Sequence, residues 1–308
     1  MADIEVREFK LPATDGFELA ATLVRPTGEG ACRAAVVINS ATGVKRGYYT
    51  KFATFLAERG LPTLTFDYRG IGGSRPKTLR GFEASVSDWG EKDSAGAIDW
   101  VSAELQPSRL LMVGHSIGGQ IFGLTPNNDR VHAMLAVGAQ SGYWGLWRGT
   151  RKIFMWFLWH ALMPSATWMF SYFPSKKMGL SEDLPAGVAR QWAHWGRNPS
   201  YIVDDDGVPM RELFRRYRGP IRSYSFEDDI HAPRACVEYM IGCFENAPKE
   251  LIHRAPKELG LTEIGHFGFF RDKLRETLWS EAYDWLRQQA DAEDQPSPTA
   301  AAAAAPAP

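Results

Sequence analysis

The 308-residue chain has little cysteine and almost no net charge. Three cysteines are too few, and odd in number, for a disulfide framework, and none stands at the Cys/His spacing of a zinc site. With 35 Lys plus Arg against 36 Asp plus Glu the formal charge is −1, so no net field steers nucleic acid toward the chain. The opening stretch, MADIEVREFKLPATDG, has neither the basic segment nor the apolar run of a secretory signal. The expectation is a cytoplasmic protein in which Cys32, Cys236 and Cys243 are small packing residues. A chain of this length buries about three-quarters of its unfolded surface, so its core requires no disulfide or metal. Tryptophan is the residue in excess. There are eleven, and seven of them fall between Trp144 and Trp195.

The hydrophobic pattern predicts two strands around the Asp15-Gly16 turn (4–26), then apolar strands alternating with amphipathic helices. The strands are 34–39, 61–68, 109–115 and 132–139. The helices are 48–60, closed by Gly60, a run over 84–104, and one starting just past Ser116. Apolar strands spaced by helices imply a mostly parallel sheet covered on both faces, an α/β fold. The rhythm stops over 142–218, a stretch rich in Trp, Phe and Met, and resumes over 219–290. There we expect a strand at 221–227, a helix over 233–246, a strand ending near Ile264 and a helix over 270–290. The Pro/Ala-rich segment 291–308 has the composition of a disordered tail. The expected organisation is thus a core in two pieces, 1–141 and 219–290, an insertion over 142–218 and a tail.

The strongest chemical signal is Gly114-His115-Ser116-Ile117-Gly118 between a predicted strand and helix. A serine there sits on a sharp turn, its hydroxyl pushed out at the carboxyl end of the sheet. The Ile117 N–H, at a helix start, is aimed at a developing oxyanion. Such a serine needs a base and an orienting acid, which follow it in the order Ser, Asp or Glu, His. Six histidines lie downstream. His132 begins a strand, His160 and His194 fall in the aromatic stretch, His253 precedes a strand, and His231 is too near the candidate acids. His266, in the glycine-flanked loop Ile264-Gly265-His266-Phe267-Gly268, is the expected base. Among Glu227, Asp228 and Asp229, the favoured acid is Asp229, just before His231-Ala232-Pro233, where proline can open a helix; Asp228 is the alternative. Asp204, Asp205 and Asp206 read as a solvated turn.

These residues resemble an α/β-hydrolase of the serine-hydrolase type, near the monoglyceride-lipase and serine-aminopeptidase-like branch and its predicted bacterial members. The match runs through 34–60, Phe66-Asp67-Tyr68-Arg69-Gly70-Ile71-Gly72-Gly73-Ser74, 114–119, and Asp229 to Pro233 followed by Gly265-His266. The resemblance implies an α/β-hydrolase fold in which 67–74 is a structural turn. It also implies a helical cap over the serine at 142–218, and no metal or cofactor. In relatives a His-Gly pair follows the third strand, and the next residue's N–H completes the oxyanion hole. Here Asn39-Ser40-Ala41-Thr42-Gly43 stands in its place. Aligning on Tyr49 makes Thr42 the donor, and a shift by one makes it Ala41.

A serine nucleophile suits acyl transfer, and the expected reaction is hydrolysis of a carboxylic ester through an acyl-enzyme. An aromatic cap and near-neutral charge favour a small hydrophobic ester as substrate. An acyltransferase, a thioesterase, or an amidase or aminopeptidase would use the same three residues. An aminopeptidase should grip a free amine with cap acids, for which Glu182, Asp183 and Asp204–Asp206 are the candidates. A non-catalytic ligand-binding protein would dispense with the three. The apolar run 153–173 is long enough to raise a membrane span, but Pro164 should divide it into two cap helices. Weak contact of this cap with a membrane surface is the second reading of the run.

Overall fold

The central strands form on short, nearly unbroken apolar runs, and in chain order the strands are β1 (Ile4–Pro12), β2 (Glu18–Pro26), β3 (Ala34–Asn39), β4 (Thr63–Phe66), β5 (Arg109–His115), β6 (Ala133–Val137), β7 (Tyr172–Phe173), β8 (Leu184–Pro185), β9 (Ile221–Phe226) and β10 (Lys249–Arg254). The structure is a computed structural model that describes residues 3–28 and 32–292. The tail expected over 291–308 falls, beyond Ala292, outside the described residues.

Eight of these strands make one sheet in the order β1-β2-β4-β3-β5-β6-β9-β10. β2 runs antiparallel to both neighbours, and every other pairing is parallel. This is an α/β-hydrolase fold. Because side chains alternate across a strand, β5 feeds two cores at once. Leu110 and Met112 join one cluster with Trp89, Ile98 and Val101 of the helical run over 86–104. Leu111 and Val113 join the other with Phe52 and Phe55 of helix Thr50–Ala57 and Trp279 and Leu286 near the C-terminal helix Ser280–Asp291. The chemistry-bearing loops all leave the carboxyl ends of the parallel strands, where the open edge of such a sheet binds ligands.

Residues 142–218 leave the sheet after β6 and return before β9. Their buried side chains Trp159, Met163, Trp195 and Tyr201 merge into the first core cluster. The seven clustered tryptophans therefore divide by environment. Trp147, Trp159 and Trp195 are buried, Trp144 and Trp192 half-buried, and Trp156 and Trp168 exposed.

Several expectations need correction. The last strand ends at Arg254 rather than near Ile264, so His253 lies inside it. Its segment KELIHR is a half-exposed edge strand, too polar to show the apolar signature of the central ones. The helix after Ser116 is a single turn, Ile117–Gln120, followed by a tighter turn, Ile121–Leu124. Pro164 does not divide 153–173. Helix Gly149–Phe157 runs through a π-helical turn, Leu158–Leu162, straight into helix Met163–Phe170. Widening the turn just before the proline makes room for its ring and its missing N–H, so the helix continues.

Candidate active site

Ser116 follows β5 with φ 52° and ψ −118°. Such backbone costs on the order of 1–3 kcal/mol for a non-glycine residue and persists only where its surroundings enforce it. Here the Ser116 N–H donates to the Val137 carbonyl of β6 (2.9 Å), and the Ser116 carbonyl accepts from the Gly119 N–H (3.1 Å). The motif glycines permit the close approach. A Cβ on Gly118 would stand 2.3 Å from the Asn39 carbonyl oxygen. Asn39, at the end of β3, is itself buried and donates from Nδ2 to the Gly118 carbonyl (3.2 Å) and to Ser94 Oγ (3.0 Å). The turn carrying Ser116 is thus gripped by both neighbouring strands.

Asp229 and His266 meet. Asp229 Oδ2 lies 2.7 Å from His266 Nδ1, and Oδ1 accepts from the N–H groups of His231 (2.8 Å) and Ala232 (2.9 Å). An ionised carboxylate only accepts, so His266 carries its proton on Nδ1 and leaves Nε2 free as a base in the neutral ring. Burial pushes the Asp229 carboxyl up, but His266 and the two backbone donors outweigh it and hold it below the usual range. Asp228 does something else. Its Oδ2 accepts from the N–H groups of Ile264 (2.8 Å) and Gly265 (2.9 Å), tying down the loop that carries His266. A Cβ on Gly138, just past β6, would touch both His266 (3.2 Å from Cε1 and Nδ1) and Asp229 (3.4 Å from Oδ2).

His115, inside the serine motif, links three loops. Its Nε2 faces the His266 carbonyl oxygen at 3.0 Å, so that nitrogen must carry the proton. Nδ1 then accepts from Tyr49 OH (2.8 Å), and Tyr49 OH accepts from the Ala41 N–H (2.8 Å). Burial drives the His115 pKa down to about 3, and the ring stays neutral. Burial likewise pushes the Tyr49 phenol upward. The Ala41 N–H is therefore spent on Tyr49. Among the described residues, the N–H groups of Thr42 and Ile117 donate to no protein acceptor.

Ser116 and His266 are not joined by a hydrogen bond; Ser116 Oγ instead contacts Gln140 Oε1 at 3.5 Å. This contact ends a chain whose direction is fixed at its far end. The Trp192 indole can only donate, and it donates to Tyr201 OH (2.8 Å). Tyr201 must then give its own proton to Gln120 Oε1 (2.7 Å). Gln120 Nε2 donates to Gln140 Oε1 (3.1 Å), which leaves Ser116 as the second donor to that oxygen. Sequence reasoning used Tyr49 only as an alignment anchor and passed over Gln120, Gln140 and Tyr201. A glutamine just past the end of β6, beside an otherwise apolar strand, was the one available signal.

Three of the acidic candidates for holding an amine are engaged elsewhere. Glu182 lies 2.8 Å from Lys176 Nζ, Asp183 is 3.1 Å from Arg75, and Asp204 Oδ1 accepts from the N–H groups of Asp206 and Val208. Asp67 accepts from the Arg46 N–H and from the Gly73 N–H, holding the turn that follows β4. Among the described residues, no three His, Cys, Asp or Glu side chains stand where they could hold a metal ion.

Residues 30–182 match the family model described as serine aminopeptidase, S33. No curated protein sequence matches the chain. Solved structures of the same fold include DcsB in complex with a substrate analogue (15% identity, TM-score 0.63, covering 94% of this chain and 100% of that one). They also include the Pyrococcus furiosus esterase Pf2001 (14%, TM-score 0.57, 93% of each chain). A third is Est1E of Butyrivibrio proteoclasticus with ferulic acid bound (15%, TM-score 0.59, 91% of this chain and 98% of that one). With the strand order, the strained serine turn and the family match in agreement, the chain belongs to the α/β-hydrolase superfamily.

Proposed function

We propose that this protein is a serine hydrolase of carboxylic esters with a hydrophobic acyl group, acting through Ser116, His266 and Asp229. The observation that carries the reading is the buried 2.7 Å Asp229–His266 contact at the strand end to which the Ser116 turn is tied. To reach His266, the Ser116 side chain has to leave its long hydrogen bond to Gln140, a small loss, and catalytic contacts are commonly looser without substrate. Ser116 Oγ attacks the acyl carbon as His266 Nε2 takes its proton. The electron pair displaced onto the carbonyl oxygen is met by the N–H groups of Ile117 and Thr42. His266 then returns the proton to the leaving alcohol, and water, deprotonated by the same nitrogen, releases the acid. Asp229 keeps the ring in the Nδ1–H form and stabilises its cation. Support for an apolar acyl group comes from Ile230 and Phe267, large apolar side chains left exposed directly beside Asp229 and His266.

Ester kinetics over an acyl-chain-length series, with fluorophosphonate labelling of the parent and of Ser116→Ala, test this reading. The expected result is labelling of the parent alone, and a fall in kcat of at least about a thousandfold in Ser116→Ala. Full activity in Ser116→Ala refutes it. A peptidase reading draws on the family model and on Glu182, whose N–H donates to the Gly43 carbonyl in the loop that carries Thr42. Its carboxylate is already paired with Lys176, which argues for the ester. Faster turnover of aminoacyl amides than of matched esters would reverse that choice.

A further inference from the structure

The helical run over 149–170 is packed on one side only. Helix Gly149–Phe157 buries none of its residues, and the rest of the run turns Trp159, Met163 and Thr167, spaced four apart, toward the protein. Ile153, Phe154, Trp156, Phe157, Trp168 and Met169 are exposed, Ile153 at 70% and Trp168 at 85%. Scattered apolar residues on a surface need no explanation, but six on one helical run, two of them tryptophan, mark an interaction site. The same stretch is charged in one sense only. Residues 130–181 contain no Asp or Glu, while Arg148, Arg151 and Lys152 precede the apolar face and Lys176 and Lys177 follow it. In a chain of net charge −1 that asymmetry is local. Two of the cations rest on the aromatic stretch itself, Lys152 Nζ 5.3 Å above the Trp144 ring and Lys177 Nζ 4.8 Å above Phe170.

Apolar side chains rich in Trp and Phe, bordered by Lys and Arg with no acid between them, are the composition of a helix that lies in a membrane interface. No helix among the described residues is long and apolar enough to cross one. We propose that the exposed face of 149–170 seats the protein on an anionic lipid surface, its six apolar side chains in the headgroup–acyl boundary and Arg148, Arg151 and Lys152 on the lipid phosphates. Arg151, near the start of this run, acts electrostatically on His231, whose ring lies 5.5 Å from that of His266. The surface goes beyond the ester reading and stands whatever bond Ser116 cleaves.

The test is cosedimentation of the full chain with vesicles of phosphatidylcholine alone and of phosphatidylcholine mixed with phosphatidylglycerol. The mixed vesicles are expected to pellet the protein, the neutral ones weakly, and added salt to reduce binding. Phe154→Ser with Trp168→Ser should lower the partition coefficient about tenfold or more, with the melting temperature unchanged because both side chains are exposed. Arg151→Glu with Lys152→Glu should abolish the preference for the anionic lipid. The proposal is overturned if neither vesicle pellets the parent, or if the substituted chains bind like the parent. It is equally overturned if the same substitutions dissolve a dimer seen by analytical ultracentrifugation while vesicles bind nothing. None of these readouts involves hydrolysis, so they fail or succeed independently of the proposed reaction.

Discussion

Tyr201→Phe isolates the polar chain that ends on Ser116. Tyr201 and Gln120 are fully buried, and the substitution removes one oxygen. Gln120 Oε1 loses its 2.7 Å donor, and Trp192 Nε1 loses its 2.8 Å acceptor. An unpaired buried carbonyl costs about 1–3 kcal/mol, whereas the half-buried indole can turn to water at small cost. The expected loss of stability is therefore about 1–3 kcal/mol, or several degrees in melting temperature for a chain of this size. The effect on catalysis should be much smaller. The link to Ser116 passes through Gln140 and ends on a 3.5 Å contact, at the long limit for a hydrogen bond. Loosening it shifts the energy of the serine hydroxyl by well under about 1 kcal/mol, and kcat/KM by less than about fivefold. Urea unfolding and ester kinetics on parent and variant read both quantities, with Trp192→Phe as a companion that leaves Tyr201 still donating to Gln120. A variant as stable as the parent within about 0.5 kcal/mol, or one that keeps its stability and loses a hundredfold in kcat/KM, refutes this reasoning.

Gly118→Ala should be far more damaging, because its Cβ would sit 2.3 Å from the backbone oxygen of Asn39 and 2.6 Å from its carbonyl carbon, neither able to swing aside. Loss of about 3 kcal/mol or failure to express as soluble protein is expected, while Gly242→Ala, with open space around its Cβ, should be neutral or slightly stabilising in urea unfolding. Asp229→Asn carries a pH signature. The folded pKa of Asp229 lies below its unfolded value of about 3.9, so its contribution is complete above that value and disappears as pH falls through the folded one. The stability gap between parent and Asp229→Asn should accordingly shrink from pH ~5 to pH ~3, and a gap that widens over that range contradicts the assignment.

The serine motif is legible because its chemistry is local. Gly114 and Gly118 stand at fixed offsets from Ser116, and a Cβ at Gly118 has nowhere to go. That an acid following β9 should approach His266, 37 residues from Asp229, could be expected from chain order, since parallel strands deliver their loops to one edge, but chain order does not separate Asp228 from Asp229. Other features escaped for identifiable reasons. The edge strand β10 carries charged, half-exposed residues that hide the strand period. The π-helical turn before Pro164 absorbs the proline, so a residue that usually breaks a helix leaves this run continuous, which the one-dimensional pattern does not reveal. The choice between Ala41 and Thr42 is a one-residue register question, and a tyrosine hydroxyl eight residues away bears on it by occupying one of the two N–H groups.

The sequence by itself determined the alternation of strands and helices, the position of the strained serine and the set of residues from which a base and an acid are proposed. These follow from periodicity, glycine placement and side-chain chemistry, all of which act over a few residues. Only the tertiary structure decided which aspartate meets His266, which tautomer His115 holds, and how Trp192 comes to bear on a hydroxyl through four hydrogen bonds. It also sorted seven neighbouring tryptophans into buried packing and exposed surface. Hydrogen bonds are short-ranged and directional, so contacts such as that between Tyr201 and Gln120, 81 residues apart, exist only once the backbone has brought donor and acceptor face to face.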